Sequence, residues 1–246
     1  MGRRHAKGAA IAALLVVLVT ACSGSSTPNA TKSTVGQFVS PSPTPKPSED
    51  DRARAIVLSD ADFPTGWQGT PHSDDPTEKE FERRLKACSG TAVNVGSTTD
   101  VFGDDFDMSQ ASVGSEVQFY RSAALVRADM ATINNSRVLT CVRNLLTEQL
   151  KAELAKQGAR GATVRSVSLA RFAIPRYADG SAALRLTATV SGAGQTFRFY
   201  QDVLVARKGR IEATASFFDL GGVFPSALER SLFAKLAARL VADGGA

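Results

Sequence analysis

Between Leu184 and Phe217 the chain keeps one period. Leu184, Leu186, Ala188 and Val190 interleave with Arg185, Thr187 and Thr189. Phe197, Phe199, Val203 and Val205 follow, and Ile211, Ala213, Ala215 and Phe217 repeat the spacing. Apolar residues at every second position predict strands with one buried face. The connections, Gly192-Ala193-Gly194 and Lys208-Gly209, are short and carry glycine, as hairpin turns do. Successive hairpins make an antiparallel meander, and its apolar side has to be covered by another layer.

The cover is legible as helix. Residues 113–121 alternate, with Val113, Val117 and Phe119 on one side and Glu116 and Gln118 on the other, which predicts a further strand. From Ser122 the period lengthens to Val126, Met130 and Ile133. After Asn134-Asn135-Ser136 a stronger stripe follows, Leu139, Val142, Leu146, Leu150 and Leu154, with Gly158 placed to end it. Val167 and Leu169 read as strand. The last helix begins at Ser226-Ala227-Leu228-Glu229, a capping-box pattern, and carries Leu228, Leu232, Leu236 and Leu240 on one face. Lys235 and Arg239 lie toward its end, where the helix dipole favours cations. Pro64 and Gly66 break the opening segment, where Phe63 and Trp67 are placed to plug the edge of the core. The expected fold is α+β: an antiparallel β-meander sheet with helices packed on one face.

The N-terminus has another composition. Arg3, Arg4 and Lys7 precede an apolar run from Ala9 to Val19, and Val19-Thr20-Ala21-Cys22 closes it. The run is shorter than the ~20 residues of a spanning helix; a basic lead, an apolar stretch and a small residue before the cut describe a secretory signal. A cysteine at that point is similar to the lipobox of bacterial lipoproteins, which implies a diacylglycerol on Cys22. Two acyl chains give a stable anchor where one does not. From Ser23 to Asp51 the sequence is rich in Ser, Thr and Pro and reads as an extended tether. The expected organisation is therefore a signal peptide over 1–21, a lipidated cysteine and tether over 22–51, and one extracytoplasmic domain over 52–246. Cys88 and Cys141 remain as an even pair in an oxidising compartment, which predicts a disulfide.

The formal charge of +5 overstates the mature chain, because Arg3, Arg4 and Lys7 leave with the signal and no acid does. The other cations are interspersed with acids, so there is no basic stripe for nucleic acid. His72 is the one histidine of the mature chain and sits in the polar stretch Thr70-Pro71-His72-Ser73-Asp74-Asp75, which reads as a surface loop. No nucleophile elbow accompanies it, and no Cys/His cluster offers zinc a site. Asp100, Asp104, Asp105 and Asp107 are oxygen-rich enough for calcium, yet their spacing is not that of an EF-hand, and a solvated loop is the expectation. Phe197 and Phe199 are expected to pack against the last helix. Tyr200 and Phe218 fall on the opposite sides of their strands and are the candidates for an exposed binding surface. No cofactor is expected.

The order of these features, from Leu58-Ser59-Asp60-Ala61-Asp62-Phe63-Pro64 through a strand ending at Phe119, a helix bearing Cys141, a meander and an Ala-rich last helix, resembles actinobacterial cell-envelope lipoproteins. More distantly it is similar to the extracellular sensor domain of PknH-type serine/threonine kinases. That resemblance implies two disulfides, of which this chain can supply one, between Cys88 and Cys141. The function expected is that of a lipid-anchored protein at the outer face of the cell membrane. It would recognise an envelope ligand or protein rather than catalyse. A structural partner of a membrane complex comes second, and an envelope hydrolase last. A concave apolar pocket with convergent polar groups is the mark of the first.

Overall fold

The computed structural model describes residues 46–73, 76–92, 94–156 and 161–244. Cys22, the tether up to residue 45, Asp74, Asp75 and Gly158 lie outside them. Helix α1 (Glu49–Ile56) comes first, and Ser48 caps it: the Ser48 hydroxyl accepts from the Asp51 amide at 3.1 Å, and the Asp51 carboxylate accepts from the Ser48 amide at 3.2 Å. Helix α1 therefore starts inside the segment expected to be tether. Glu49 is tied down by the hydroxyls of Thr98 and Thr99, at 2.9 and 3.1 Å, and by Arg210.

After a 3-10 turn at Asp60–Asp62 come β1 (Gln68–Thr70), α2 (Pro76–Ser89), β2 (Ser97–Phe102), β3 (Asp105–Met108) and β4 (Ala111–Tyr120). Two helices follow, α3 (Ala123–Thr132) and α4 (Ser136–Lys156), the second capped by Asn135, whose side-chain oxygen accepts from the amides of Arg137 and Val138. The remainder is β5 (Thr163–Arg171), β6 (Gly180–Gly192), β7 (Gln195–Lys208), β8 (Ile211–Leu220) and α5 (Ser226–Asp243). Strands β5 to β8 are the meander. The sheet runs β1-β3-β4-β8-β7-β6-β5, with β2 also on β4, and every pairing is antiparallel.

Helices cover both faces of this sheet, where one was expected. On the first face Val113, Val117 and Phe119 of β4, Leu204 and Ala206 of β7, and Ile211 to Phe217 at alternate positions of β8 meet α1 and α5. Leu232, Phe233, Leu236 and Leu240 supply the α5 side, and Phe63 stacks on Phe106 at 4.0 Å to close the edge as expected. On the second face Leu186, Ala188, Val190, Phe199 and Phe218 meet α2 and α4. The reason is compositional: β7 and β8 carry large apolar residues at both parities, and a sheet apolar on both sides needs two covering layers. Cys141 of α4 is buried and bonded to Cys88 of α2, with their Cα atoms 5.9 Å apart, so the predicted disulfide joins two helices of one layer.

Helix α5 departs from its sequence reading at both ends. Its N-cap is Pro225, which makes no side-chain cap, and the Ser226/Glu229 capping box does not form. Glu229 instead turns inward and is buried. Lys235 and Arg239 do not simply complement the dipole. Arg239 grips both carboxylate oxygens of Asp62, at 2.6 and 2.8 Å, and donates to the Val57 carbonyl at 2.8 Å, while Lys235 donates to the Asp62 carbonyl at 2.6 Å. These bonds pin the segment between α1 and β1 to the last helix.

Candidate functional site

The second face is not filled throughout. Toward β4, a cavity of about 140 Å³ opens between the sheet and helices α2, α3 and α4. Its apolar wall includes Phe81 and Leu85 of α2, Val142 of α4 and Leu186 of β6. Its floor is made by strand positions that point away from α1 and α5. Those positions are polar: Glu116 and Gln118 on β4, Gln201 on β7, Glu212 and Thr214 on β8, all buried. Strand register sets Gln118 against Glu212 and Glu116 against Thr214, so period two alone delivers these side chains to one side. Asp129 of α3 closes the ring from above.

Buried polar groups are costly without hydrogen bonds, and native proteins pair nearly all of them. Part of this floor is paired. The Tyr120 hydroxyl lies 2.9 Å from Gln118 Oε1, Gln118 Nε2 is 3.4 Å from Asp100 Oδ2, and the Asn94 amide donates to Asp129 at 2.8 Å. Gln201 donates through Nε2 to Ser216 Oγ at 2.8 Å. Its other atom, Oε1, has no partner among the described residues, nor has Glu212 Oε2. Gln201 is 1% exposed. An amide oxygen and a carboxyl oxygen, both buried, thus face an apolar-walled space with a hydrogen bond still to make.

Burial pushes the Glu212 carboxyl well above its ordinary range, and the nearby Asp129 adds to the shift while Arg207 opposes it. Burial also raises Asp129, against the Asn94 amide and the Tyr120 hydroxyl, which bond it. Tyr120 is pushed up by burial first, then by the negative charge of Glu212, Asp129 and Glu116. The tyrosine therefore stays a donor, and both carboxyls hold their protons more tightly than exposed acids do.

A second buried charged group lies beneath α5. Arg185 makes a bidentate pair with Asp202, at 2.6 and 2.5 Å, and stacks 4.9 Å over Phe172. Burial and then the neighbouring Asp202 push Glu229 up to about 8, and Arg185 and Arg230 work against that shift.

The residues singled out in the sequence fall elsewhere. Phe218 is buried at 2% exposure against Phe199, their rings 6.5 Å apart on the α4 side. Tyr200 is half-buried on the other face, opposite Asp219 across β7 and β8. The two do not share a surface, because the odd positions of β7 pair with the even positions of β8. Phe199 packs under α4 rather than the last helix, and Phe197 is 48% exposed near the β6–β7 turn. Asp100 lies in β2, and Asp105 and Asp107 lie in β3, so the acidic run is a pair of strands with Asp104 between them, not a solvated loop. His72 is largely covered: its ring stacks on Phe102 at 4.5 Å, and Nδ1 is 3.0 Å from Asp105 Oδ2. Sequence reasoning passed over the cavity acids because Glu116 and Gln118 sit at positions that a half-buried strand gives to water. A signal was present in Gln201, Glu212, Thr214 and Ser216, polar residues that share one face of two central strands.

No family model and no curated protein matches this chain. Among solved structures it is distantly similar to the extracellular domain of PknH from Mycobacterium tuberculosis, at 10% identity and a TM-score of 0.38, over 80% of this chain and 98% of that one. A protein of unknown function from Pseudomonas aeruginosa is similar at 14% identity and a TM-score of 0.20, over 61% of this chain and 85% of that one.

Proposed function

We propose that this chain is a lipid-anchored extracytoplasmic protein that works by binding a small ligand, in the manner of a sensor, and not by catalysis. The observation that carries the binding reading is the cavity on the second face. It combines apolar walls with buried polar atoms that lack partners, Gln201 Oε1 and Glu212 Oε2, as ligand sites do. What supports the anchor is the run Val19-Thr20-Ala21-Cys22 behind a basic and then apolar lead. In the non-catalytic reading the carboxyls orient a ligand. His72, held between Phe102 and Asp105, lies away from the cavity lining.

The test is occupancy. The full chain, extracted from its own membranes in mild detergent, should carry a small molecule visible by native mass spectrometry. Val203→Phe places a ring in the cavity, where Val203 now lies, and should expel that molecule while the domain still unfolds cooperatively. A chain that is empty in both forms, and unaffected by any small-molecule extract of the same cells, defeats the reading.

A further inference from the structure

The cavity lining has a charge sign. Glu82, Glu116, Asp129 and Glu212 contribute to it, and no Lys, Arg or His does. Arg207, the register partner of Glu212 on β7, is the nearby cation and lies outside the lining. We propose that the cavity takes a small organic cation, an ammonium on a compact apolar body, with the ammonium held by Glu212, Asp129 and Gln201 Oε1. This rests on the ligand-binding reading above.

Three observations carry it. The atoms lacking partners, Gln201 Oε1 and Glu212 Oε2, supply acceptor positions, and an ammonium brings the donors they lack. The size is right for a compact molecule, since a cavity of ~150 Å³ lined by aliphatic and aromatic residues holds benzene. A metal ion is the poorer occupant: among the described residues no group of three or more acids, histidines or cysteines closes on one point. Acids that do not converge on one point, beside apolar walls, suit an ammonium carried on an apolar body better than a bare metal ion.

The carboxyls of the lining interact. Glu212 and Asp129 cannot both ionise cheaply where burial raises both, with Glu116 on β4 and Glu82 on α2 beside them, and with Arg207 opposing at Glu212 and the Asn94 amide and Tyr120 hydroxyl at Asp129. A cation entering the cavity makes ionisation favourable, so a carboxyl gives its proton to the buffer as the ammonium seats. Binding and proton release are then one event. Affinity should rise with pH until the amine itself loses its charge.

The probes are three near-isosteric molecules: n-butylammonium, 1-butanol and butyrate. Each is titrated into the full chain in detergent and followed by saturation-transfer NMR and by calorimetry in two buffers of different ionisation heat. The expected result is that n-butylammonium binds at least tenfold tighter than 1-butanol and releases a proton, seen as buffer-dependent heat, while butyrate does not bind. Glu212→Gln should remove the preference and the proton release while 1-butanol binding and the fold survive, and Asp129→Asn should weaken the preference. Equal binding of n-butylammonium and 1-butanol, unmoved by either substitution but abolished by Val203→Phe, would overturn the cation while leaving a ligand cavity. Binding of no probe, or binding indifferent to Val203→Phe, would overturn both.

Discussion

Glu229 shows how far one buried carboxyl can bend the behaviour of the domain. Its carboxyl is pushed up to about 8 by burial and by Asp202, from an ordinary 4.5. The folded chain therefore holds this proton more tightly than the unfolded chain. The stability it contributes is fully present below pH 4.5 and is lost as pH rises through about 8. Glu212, Asp129 and Asp219, all raised chiefly by burial, act in the same direction. Asp62 works the other way. Burial alone would raise it, but the Ser59 amide, Arg239 and Lys235 hold its carboxyl below the ordinary 3.8. Its contribution is present above that value and lost as pH falls through the lowered one. Denaturant unfolding between pH 3 and 9 should thus give a stability maximum on the acid side of neutrality. Glu229→Gln should flatten its own share of the alkaline limb and leave the acid limb alone, and Asp62→Asn should do the reverse. An alkaline limb that keeps its full slope in Glu229→Gln would show that the carboxyl is already ionised in the folded chain.

At the scale of elements, the disulfide decides how the second layer hangs together. Helix α2 covers the cavity, and Cys88 near its C-terminal end is joined to Cys141 near the start of α4. The bond closes a loop spanning a sequence separation of 53, for which loop-closure entropy gives ~4 kcal/mol of stabilisation of the folded state. That is a large share of the ~5–15 kcal/mol that holds a domain of ordinary stability together. The replacement Cys88→Ala with Cys141→Ala should lower the free energy of unfolding by about 3–4 kcal/mol. Hydrogen exchange should quicken first in α2 and α4, which the bond joins, while β8 and α5 keep their protection. Uniform loss across both faces would mean that the two layers unfold as one unit. The meander itself was readable element by element, because period two, glycine turns and local pairing all lie within a short stretch of sequence. The capping of α5 was not. Ser226 and Glu229 fit the local pattern, but Glu229 is buried beside a charged pair on β6 and β7, and tertiary contact outweighed a cap that contributes ~1 kcal/mol.

Under the proposed function, anchoring and ligand binding fall on opposite sides of the sheet. Helix α1, the first described element after the tether, packs on the first face with α5, and the cavity lies on the second. A domain joined to its membrane through α1 would hold the cavity on the side of the sheet away from that junction. The anchor itself is tested by metabolic labelling: a fatty-acid probe should mark the wild-type chain and not Cys22→Ala, which should appear in the soluble fraction. Equal labelling of the two would remove the lipid from this account and with it the membrane location it implies.

The sequence alone determined what depends on neighbours along the chain: the strand period, the turns of the meander, the helical stripes, and the pair of cysteines, Cys88 and Cys141, that the fold joins. It also determined which strand residues share a side, since alternation is a property of the backbone. It did not determine what covers each side. Glu116, Gln118, Gln201 and Glu212 became cavity floor because β4 pairs with β8 across about ninety residues and α2, α3 and α4 arrive over that face. The β7–β8 register put Tyr200 and Phe218 on opposite faces. Burial is a long-range quantity, set by which surfaces meet, and a cavity is the volume that meeting surfaces fail to fill. Neither is encoded in any local period, so the site was decided by the tertiary structure.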